Sequence, residues 1–284
     1  MSPGSVGFLF HPAVDRGLAS IEAARRRLYQ QGLETWEADR PKVDGELRAR
    51  LRDTIVLVTF GGDGTFLHGG RLALAADIPI IGVNLGRLGF LTEVELSGLV
   101  DGLDRFWAGD YRLEPRVALQ IRQLRGDRRI RSGIAINEAA VHKLQAGRMI
   151  RIGIGLDGQE VGTIDADGLL VSTATGSTAY SLAVGGPILV PTLRDLVVAP
   201  MNPFALSVRP LVVGAGETIS VKLEREDAVL ALDGHPLGRA RRGDNLIIEA
   251  CPQDLKVVRF EEPSRFFFRL RHKIGWGSPL VPTP

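Results

Sequence analysis

Ile55-Val56-Leu57-Val58-Thr59-Phe60 runs directly into Gly61-Gly62-Asp63-Gly64-Thr65. A hydrophobic run of that length reads as a buried strand, and the five residues after it place three glycines around one carboxylate. Glycine permits close backbone approach, so polyphosphate oxygens can sit against free N–H groups at the start of the helix that follows. Asp63 is the odd member. An acid in an anion cradle is unfavourable unless it holds a cation or accepts a proton, and both roles suit phosphoryl transfer to a hydroxyl. The other reading of the pentapeptide is an Asp-Gly turn closing the strand.

Working outward, the first ~110 residues alternate short apolar runs with amphipathic stretches, the pattern of a parallel sheet flanked by helices. Strands are expected at Val6–Phe10, Thr35–Glu37, Thr54–Phe60 and Ile78–Val83, and helices at 17–31, 45–52, 65–75 and 97–108. The loop Asn84-Leu85-Gly86-Arg87-Leu88-Gly89-Phe90 is again glycine-rich, and an open α/β sheet offers a ligand crevice at the carboxyl ends of such strands. After Pro115 the texture changes to short β-rich segments, among them Gly133–His142, Arg148–Leu156, Gly168–Thr173 and Leu255–Phe260. Turn signals at Gly126-Asp127, Asp157-Gly158 and Asp233-Gly234 punctuate them. The expected fold is therefore α/β: a Rossmann-like N-terminal domain over residues 1–114 and a mostly β, sandwich-like domain over 115–263. A helix from Ser264 as N-cap to Ile274 (within 264–284) would pack back on the first domain, and the simplest picture has the site between the two domains.

Composition narrows the function classes. With 284 residues the chain can bury a large core, and 34 glycines, about 12%, point to tight turns and close approaches to a ligand. The net charge of +2 gives no global basic field to recruit nucleic acid. A single cysteine, Cys251, leaves no intrachain disulfide, and no Cys/His group has zinc-ligand spacing. The N-terminal residues lack the pattern of a signal peptide. Leu193–Gly216, the longest largely apolar region, is interrupted by charges and prolines and cannot span a membrane as a helix. A cytoplasmic, soluble enzyme without a membrane partner is expected.

Two further motifs add chemistry. Asp167-Gly168-Leu169-Leu170-Val171-Ser172-Thr173-Ala174-Thr175-Gly176-Ser177-Thr178-Ala179-Tyr180-Ser181 is a buried strand feeding a dense run of hydroxyl residues. Hydroxyls and free N–H groups there would bind a nucleotide's phosphate, ribose or base edge, with Tyr180 as a stacking face. An ordinary capping loop would explain only some of those hydroxyls. Asn137-Glu138 offers an amide beside a carboxylate, a pair suited to ribose hydroxyls. Asp233-Gly234-His235 is accounted for by a hairpin turn.

Taken in order, Gly61–Thr65, Asn137-Glu138, Asp167–Ser181 and Gly185-Gly186-Pro187 resemble the NAD kinase family, whose members make NADP from NAD; the resemblance runs from about residue 54 to 276 and includes Asp233-Gly234 and the Phe-rich helix ending at Gly275. It implies that Asp63 is the base that activates the adenosine ribose 2′-hydroxyl. Gly64, Phe90, Asn137, Glu138, Asp165, Asp167, Thr175, Thr178, Ala179 and Tyr180 are implied as NAD-contact positions. Gly61, Gly62, Gly64 and Thr65 would underlie the phosphate donor, ATP with Mg²⁺ or inorganic polyphosphate, with no metal held by protein ligands alone. A homodimer or homotetramer is also implied. One departure stands out: some bacterial members carry arginine where this chain has Asp165, leaving open how a new 2′-phosphate is neutralised.

Three other readings compete. Lipid kinases of the diacylglycerol type share the Gly-Gly-Asp-Gly-Thr loop but lack the Tyr180 segment, and no apolar or polybasic membrane patch is evident. The 6-phosphofructokinases have a similar loop and a Thr-Ile-Asp segment like Thr163-Ile164-Asp165, but much closer to the loop than the 102 residues separating Asp63 from Asp165 here. A non-catalytic nucleotide sensor would have no need of an acid at position 63.

Overall fold

Val6, Phe8 and Phe10 alternate with Gly7 and Leu9 in the first strand, and all five are buried, so this strand must lie inside a sheet covered on both faces. The computed structural model describes residues 4–39, 44–86, 89–260 and 265–277. The chain forms two units, Met1–Glu114 together with Leu255–Pro284, and Pro115–Asp254.

Along the first unit run β1 (Ser5–Phe10), α1 (Ala19–Gln30), β2 (Glu34–Asp39), α2 (Gly45–Arg52), β3 (Thr54–Gly61), α3 (Asp63–Ala76), β4 (Ile80–Asn84), the short β5 (Val94–Glu95), α4 (Leu99–Trp107) and β6 (Arg112–Arg116). The second unit contains β7 (Leu119–Arg125), β8 (Arg128–Ala135), β9 (Glu138–Lys143), β10 (Ile150–Leu156), β11 (Gln159–Ala166), β12 (Gly168–Thr173), the one-turn α5 (Tyr180–Ala183), β13 (Asp195–Met201), β14 (Leu211–Gly214), β15 (Ile219–Leu223), β16 (Ala228–Leu232), β17 (His235–Ala240) and β18 (Asn245–Ala250). The chain then returns to the first unit as β19 (Leu255–Arg259) and α6 (Arg265–Ile274).

The first sheet has the order β2-β1-β3-β4-β19-β6, with β5 added to β4. Pairing is parallel at β1/β2, β1/β3, β3/β4 and β4/β19. Its core includes Phe10 and Phe60, stacked at 4.6 Å between ring centroids, with Phe8 edge-on to Phe60 at 5.0 Å. All of the expected helices and strands of the first 110 residues are present within a few residues of the sequence reading. The exception that matters is α3, which begins at Asp63 rather than Thr65. Gly62 takes the N-cap position, and an acidic first residue is favoured by the positive end of the helix.

The second unit is a sandwich of two antiparallel six-stranded sheets, β11-β10-β15-β18-β7-β8 and β14-β13-β12-β9-β16-β17. Ile121, Ile152, Val221 and Leu246 of one sheet share a core with Val141, Val171, Val198 and Leu230 of the other. Two expectations are corrected. Gly133–His142 is not one strand, because the chain breaks between β8 and β9 where the N–H groups of Ile136 and Asn137 turn to the Asp233 carboxylate. The strand expected at 255–260 does not close the β-rich domain at residue 263; as β19 it joins the parallel sheet, so the second unit ends at Asp254. The burial alternation of a short strand says that it is a strand, and nothing in it selects the sheet. The expected N-cap Ser264 lies outside the described residues.

Asp244, in the turn entering β18, shows how the sandwich is held. It is fully buried and accepts bonds from Gln123 Nε2 (2.6 Å), Arg125 Nε (2.7 Å) and the Arg241 N–H (2.8 Å). Asp244→Ala would leave the buried Gln123 amide and the Arg125 guanidinium without this acceptor. The expected loss is about 3 kcal/mol of stability, read as a lowered midpoint of urea unfolding, with Asp244→Asn recovering part of it.

Candidate active site

The N–H groups of Gly62, Asp63 and Gly64 open α3 without intrahelical acceptors, as any helix start must, and Gly62 and Gly64 are exposed. A cavity of about 440 Å³ lies at the carboxyl ends of β1, β3 and β4, lined among others by His11, Gly61, Gly62, Asn84 and Gly86. This is where an open parallel sheet binds ligands. Thr65 packs its hydroxyl against Gly61, so the loop residues the sequence assigns to the phosphate donor are together in the first unit.

Asp63 is aimed by the segment Gly89–Leu91. Its carboxylate accepts the Phe90 N–H at 3.0 Å on Oδ2 and the Leu91 N–H at 3.1 Å on Oδ1. A β-carbon at position 89 would overlap Oδ1, so only glycine lets the acid and this segment meet. The side chain keeps one-third of its surface exposed, and Lys273 of α6 holds its ammonium 3.9 Å from Oδ2 and 4.8 Å above the Phe90 ring. Phe90, expected as an NAD contact, lies beside Asp63 and meets it through its main chain. Lys273 was not foreseen, since a Phe-rich helix reads as a packing element. Residues 87 and 88 of the same loop lie outside the described residues.

In the second unit, Asp233 organises the Asn-Glu pair. It occupies the first position of the Asp-Gly turn between β16 and β17 with φ +47°, and its carboxylate accepts the N–H groups of Ile136, Asn137 and Glu138 at 2.8–3.2 Å. The turn reading of Asp233 was therefore incomplete, and no local signal marks a partner almost a hundred residues away. Asn137 and Glu138 are buried, yet Asn137 Oδ1 and Glu138 Oε2 have no hydrogen-bond partner among the described residues. Buried polar atoms are rarely left so.

Several hydroxyls of the Ser172–Ser181 run are engaged within the fold. Ser172 and Thr173 donate to the Asn137 and Ile136 carbonyls, and Ser177 bonds Ala174 O and receives the Leu189 N–H. A β-carbon on Gly176 would strike the Asn137 carbonyl, which ties this turn to the Asn-Glu pair. Thr175 is buried and receives a bond from Arg116; Thr178 is partly buried; Ala179 and Tyr180 are exposed. Tyr180 stacks near His142, with centroids 5.8 Å apart and planes 18° from parallel. Asp167 pairs with Lys143 and accepts from Asn202, and both contacts hold its carboxyl below the usual range. Asp165 is not a bare charge: Arg151, directly across the β10/β11 pair, grips it with Nε at 2.9 Å and Nη2 at 2.6 Å, lowering its pKa. Among the described residues no three His, Cys, Asp or Glu side chains are grouped to hold a metal.

Glu138 supplies a test of this geometry. Burial, reinforced by the negative charge of Asp233, raises its carboxyl from 4.5 to about 7. Between these values the folded chain keeps a proton that the unfolded chain has released, so this contribution to stability falls as pH rises through the window. At roughly 1.4 kcal/mol per pH unit, ionised Glu138 costs about 3 kcal/mol by pH 8. Glu138→Gln should match the parent near pH 4.5 and become more stable by up to about that amount at pH 8. Thermal melts across the range check this; a gap independent of pH would show that Glu138 is not the group titrating.

Comparison with known proteins agrees with the residues. The model of the ATP-NAD kinase N-terminal domain matches residues 11–111, and that of the ATP-NAD kinase C-terminal domain matches residues 136–260. An NAD kinase of Gemmatimonas aurantiaca is 37% identical over 97% of this chain and 95% of its own length. One from Heliobacterium modesticaldum is 44% identical over 82% of each. Among solved structures, an NAD kinase from Archaeoglobus fulgidus in complex with ATP superimposes with a TM-score of 0.72 at 25% identity, covering 95% of this chain and 97% of that one. Yeast NADH kinase complexed with NADH shares the fold, with a TM-score of 0.85 at 22% identity over 100% of this chain and 91% of that one. Since the two family models together match most of the residues and the relatives match nearly end to end, the chain belongs to the NAD kinase family.

Proposed function

We propose that the protein transfers the γ-phosphoryl group of ATP to the adenosine ribose 2′-hydroxyl of NAD, and that Asp63 is the base. The observation that carries this reading is the Asp63 carboxylate itself, partly exposed at the mouth of the glycine loop and held by two N–H groups that fix its direction. Each carboxylate oxygen retains a lone pair for the hydroxyl proton. As the bond from the ribose oxygen to phosphorus forms and the bond to the ADP leaving group breaks, the proton passes to Asp63 and then to solvent.

The remaining residues position and balance charge. Gly62 and Gly64 offer free main-chain N–H groups to the donor's phosphates, with Gly61 and Thr65 shaping the loop around them, and Lys273 brings a cation against the base. Asn137 and Glu138, whose Oδ1 and Oε2 lack partners among the described residues, suit the ribose and base edges of NAD; Asp167, Thr175, Thr178, Ala179 and Tyr180 complete that set, with Tyr180 as a stacking face. The Arg151–Asp165 pair supports a reading of position 165 in which the carboxylate, already offset by a guanidinium, does not repel a new 2′-phosphate. Mg²⁺ would enter as the counter-ion of ATP, with Asp63 the carboxylate of the glycine loop that could face it, and bound there it would neutralise charge on the transferring group. Polyphosphate is a second donor that the same N–H cradle would accept.

We also read the protein as a cytoplasmic homodimer or homotetramer. Exposed Phe204, Leu206, Leu211 and Val212, on and near the edge strand β14, support self-association. Among the described residues no helix is long and apolar enough to cross a membrane. The lipid- and sugar-kinase readings are not favoured, because the family match runs through both units.

Asp63→Asn decides the central point. The amide preserves size but cannot take the proton, so kcat should fall ~10²–10⁴-fold with NAD affinity little changed. Rates are measured with NAD, ATP and Mg²⁺ through an NADP-specific dehydrogenase. A folded variant that binds NAD and keeps most of its kcat would return Gly61–Thr65 to a structural turn.

A further inference from the structure

Phe90 and Leu91 are each held at both main-chain polar groups, and the peptide that joins them is gripped from both sides. Their N–H groups bind Asp63. Their carbonyls face the other way: Arg269 Nη1 of α6 donates to Phe90 O at 3.1 Å, and Arg259 Nη1 at the end of β19 donates to Leu91 O at 3.2 Å. Both guanidiniums converge on one oxygen of Glu93, at 2.8 Å from Arg259 and 3.2 Å from Arg269, while the other oxygen accepts the Phe260 N–H at 3.1 Å. Arg259 also reaches Glu114 at 3.1 Å. The side chains of Glu93, Arg259, Glu114 and Arg269 are only 3–6% exposed.

A buried ion network of two acids and two arginines adds little net stability over apolar packing. Its geometry does something apolar side chains could not, which is to bind the Phe90 carbonyl and so set the tilt of the one peptide plane it shares with the Leu91 N–H that points at the base, while Arg259 anchors the next carbonyl along. We propose that Arg269 and Glu93 are positioning residues for Asp63, acting through the peptide that joins Phe90 to Leu91, so that the C-terminal helix belongs to the catalytic apparatus. This rests on the reading of Asp63 as the base.

The consequence is coupling. Arg269→Lys keeps the charge but replaces a planar fork by a point donor that cannot serve Phe90 O and Glu93 together. A small displacement of a catalytic group can cost about a hundredfold in rate, so kcat is expected to fall about tenfold to a hundredfold with KM for NAD within about twofold. In an Asp63→Asn background the same substitution should change the residual rate less than about twofold, since the group being positioned no longer takes a proton. Glu93→Gln should behave likewise, and it carries the same cycle if the Arg269 variants do not accumulate as folded protein by circular dichroism. Equal fold losses in the two backgrounds, or an unchanged kcat in both single variants, overturns the proposal while leaving Asp63 in place. Full activity of Asp63→Asn alone is a different result and removes the base that the proposal depends on.

Discussion

Two hydrogen bonds, from the Phe90 and Leu91 N–H groups to the Asp63 carboxylate, set the conditions for the rest of the first unit. For them to form, β3 must deliver Asp63 to the start of α3, and β4 must end close enough for the following loop to double back. Position 89 must also have no side chain. The result is an acid presented at the opening of a helix whose free N–H groups favour anions. The same loop thus presents free N–H groups and a carboxylate side by side.

A similar device operates in the second unit with the roles reversed. The Asp233 carboxylate, placed by a tight turn, gathers three successive N–H groups and interrupts what would otherwise be one long strand. That interruption leaves Asn137 between the two strands and Glu138 as the first residue of β9, and among the described residues Asn137 Oδ1 and Glu138 Oε2 are buried without partners. The desolvation that raises Glu138 towards neutrality follows from the same arrangement. In both units, then, a carboxylate that captures successive main-chain N–H groups fixes the local path of the chain.

What was legible in the sequence followed from local periodicity. β3, β12 and the helices of the first unit appear almost where alternation and helical spacing place them, because buried parallel strands and amphipathic helices write their burial into neighbouring residues. The glycine loop, the Asn-Glu pair and the hydroxyl run were also visible. What was not legible depends on contacts between distant residues. The sheet that β19 joins, the three N–H groups under Asp233 and the grip of Arg151 on Asp165 leave no trace in spacing. Likewise the hydroxyl run looked richer in ligand-binding groups than it is, since Ser172, Thr173 and Ser177 spend theirs on the backbone.

The return of the chain after Asp254 explains why four charges are buried beneath the catalytic loop. Residues 90–93 lead into β5, and the carbonyls of Phe90 and Leu91 take their bonds from the buried Arg269 and Arg259. Buried carbonyls require donors, and guanidiniums can supply them from a distance, but each then needs a carboxylate to offset its charge. Glu93 and Glu114 supply that offset. Because the two arginines come from β19 and α6, the loop that holds Asp63 is complete only when the described residues after Asp254 are docked. The second unit is in effect an insertion within the first, and the segment that bonds the carboxylate of residue 63 is itself bonded by residues 259 and 269.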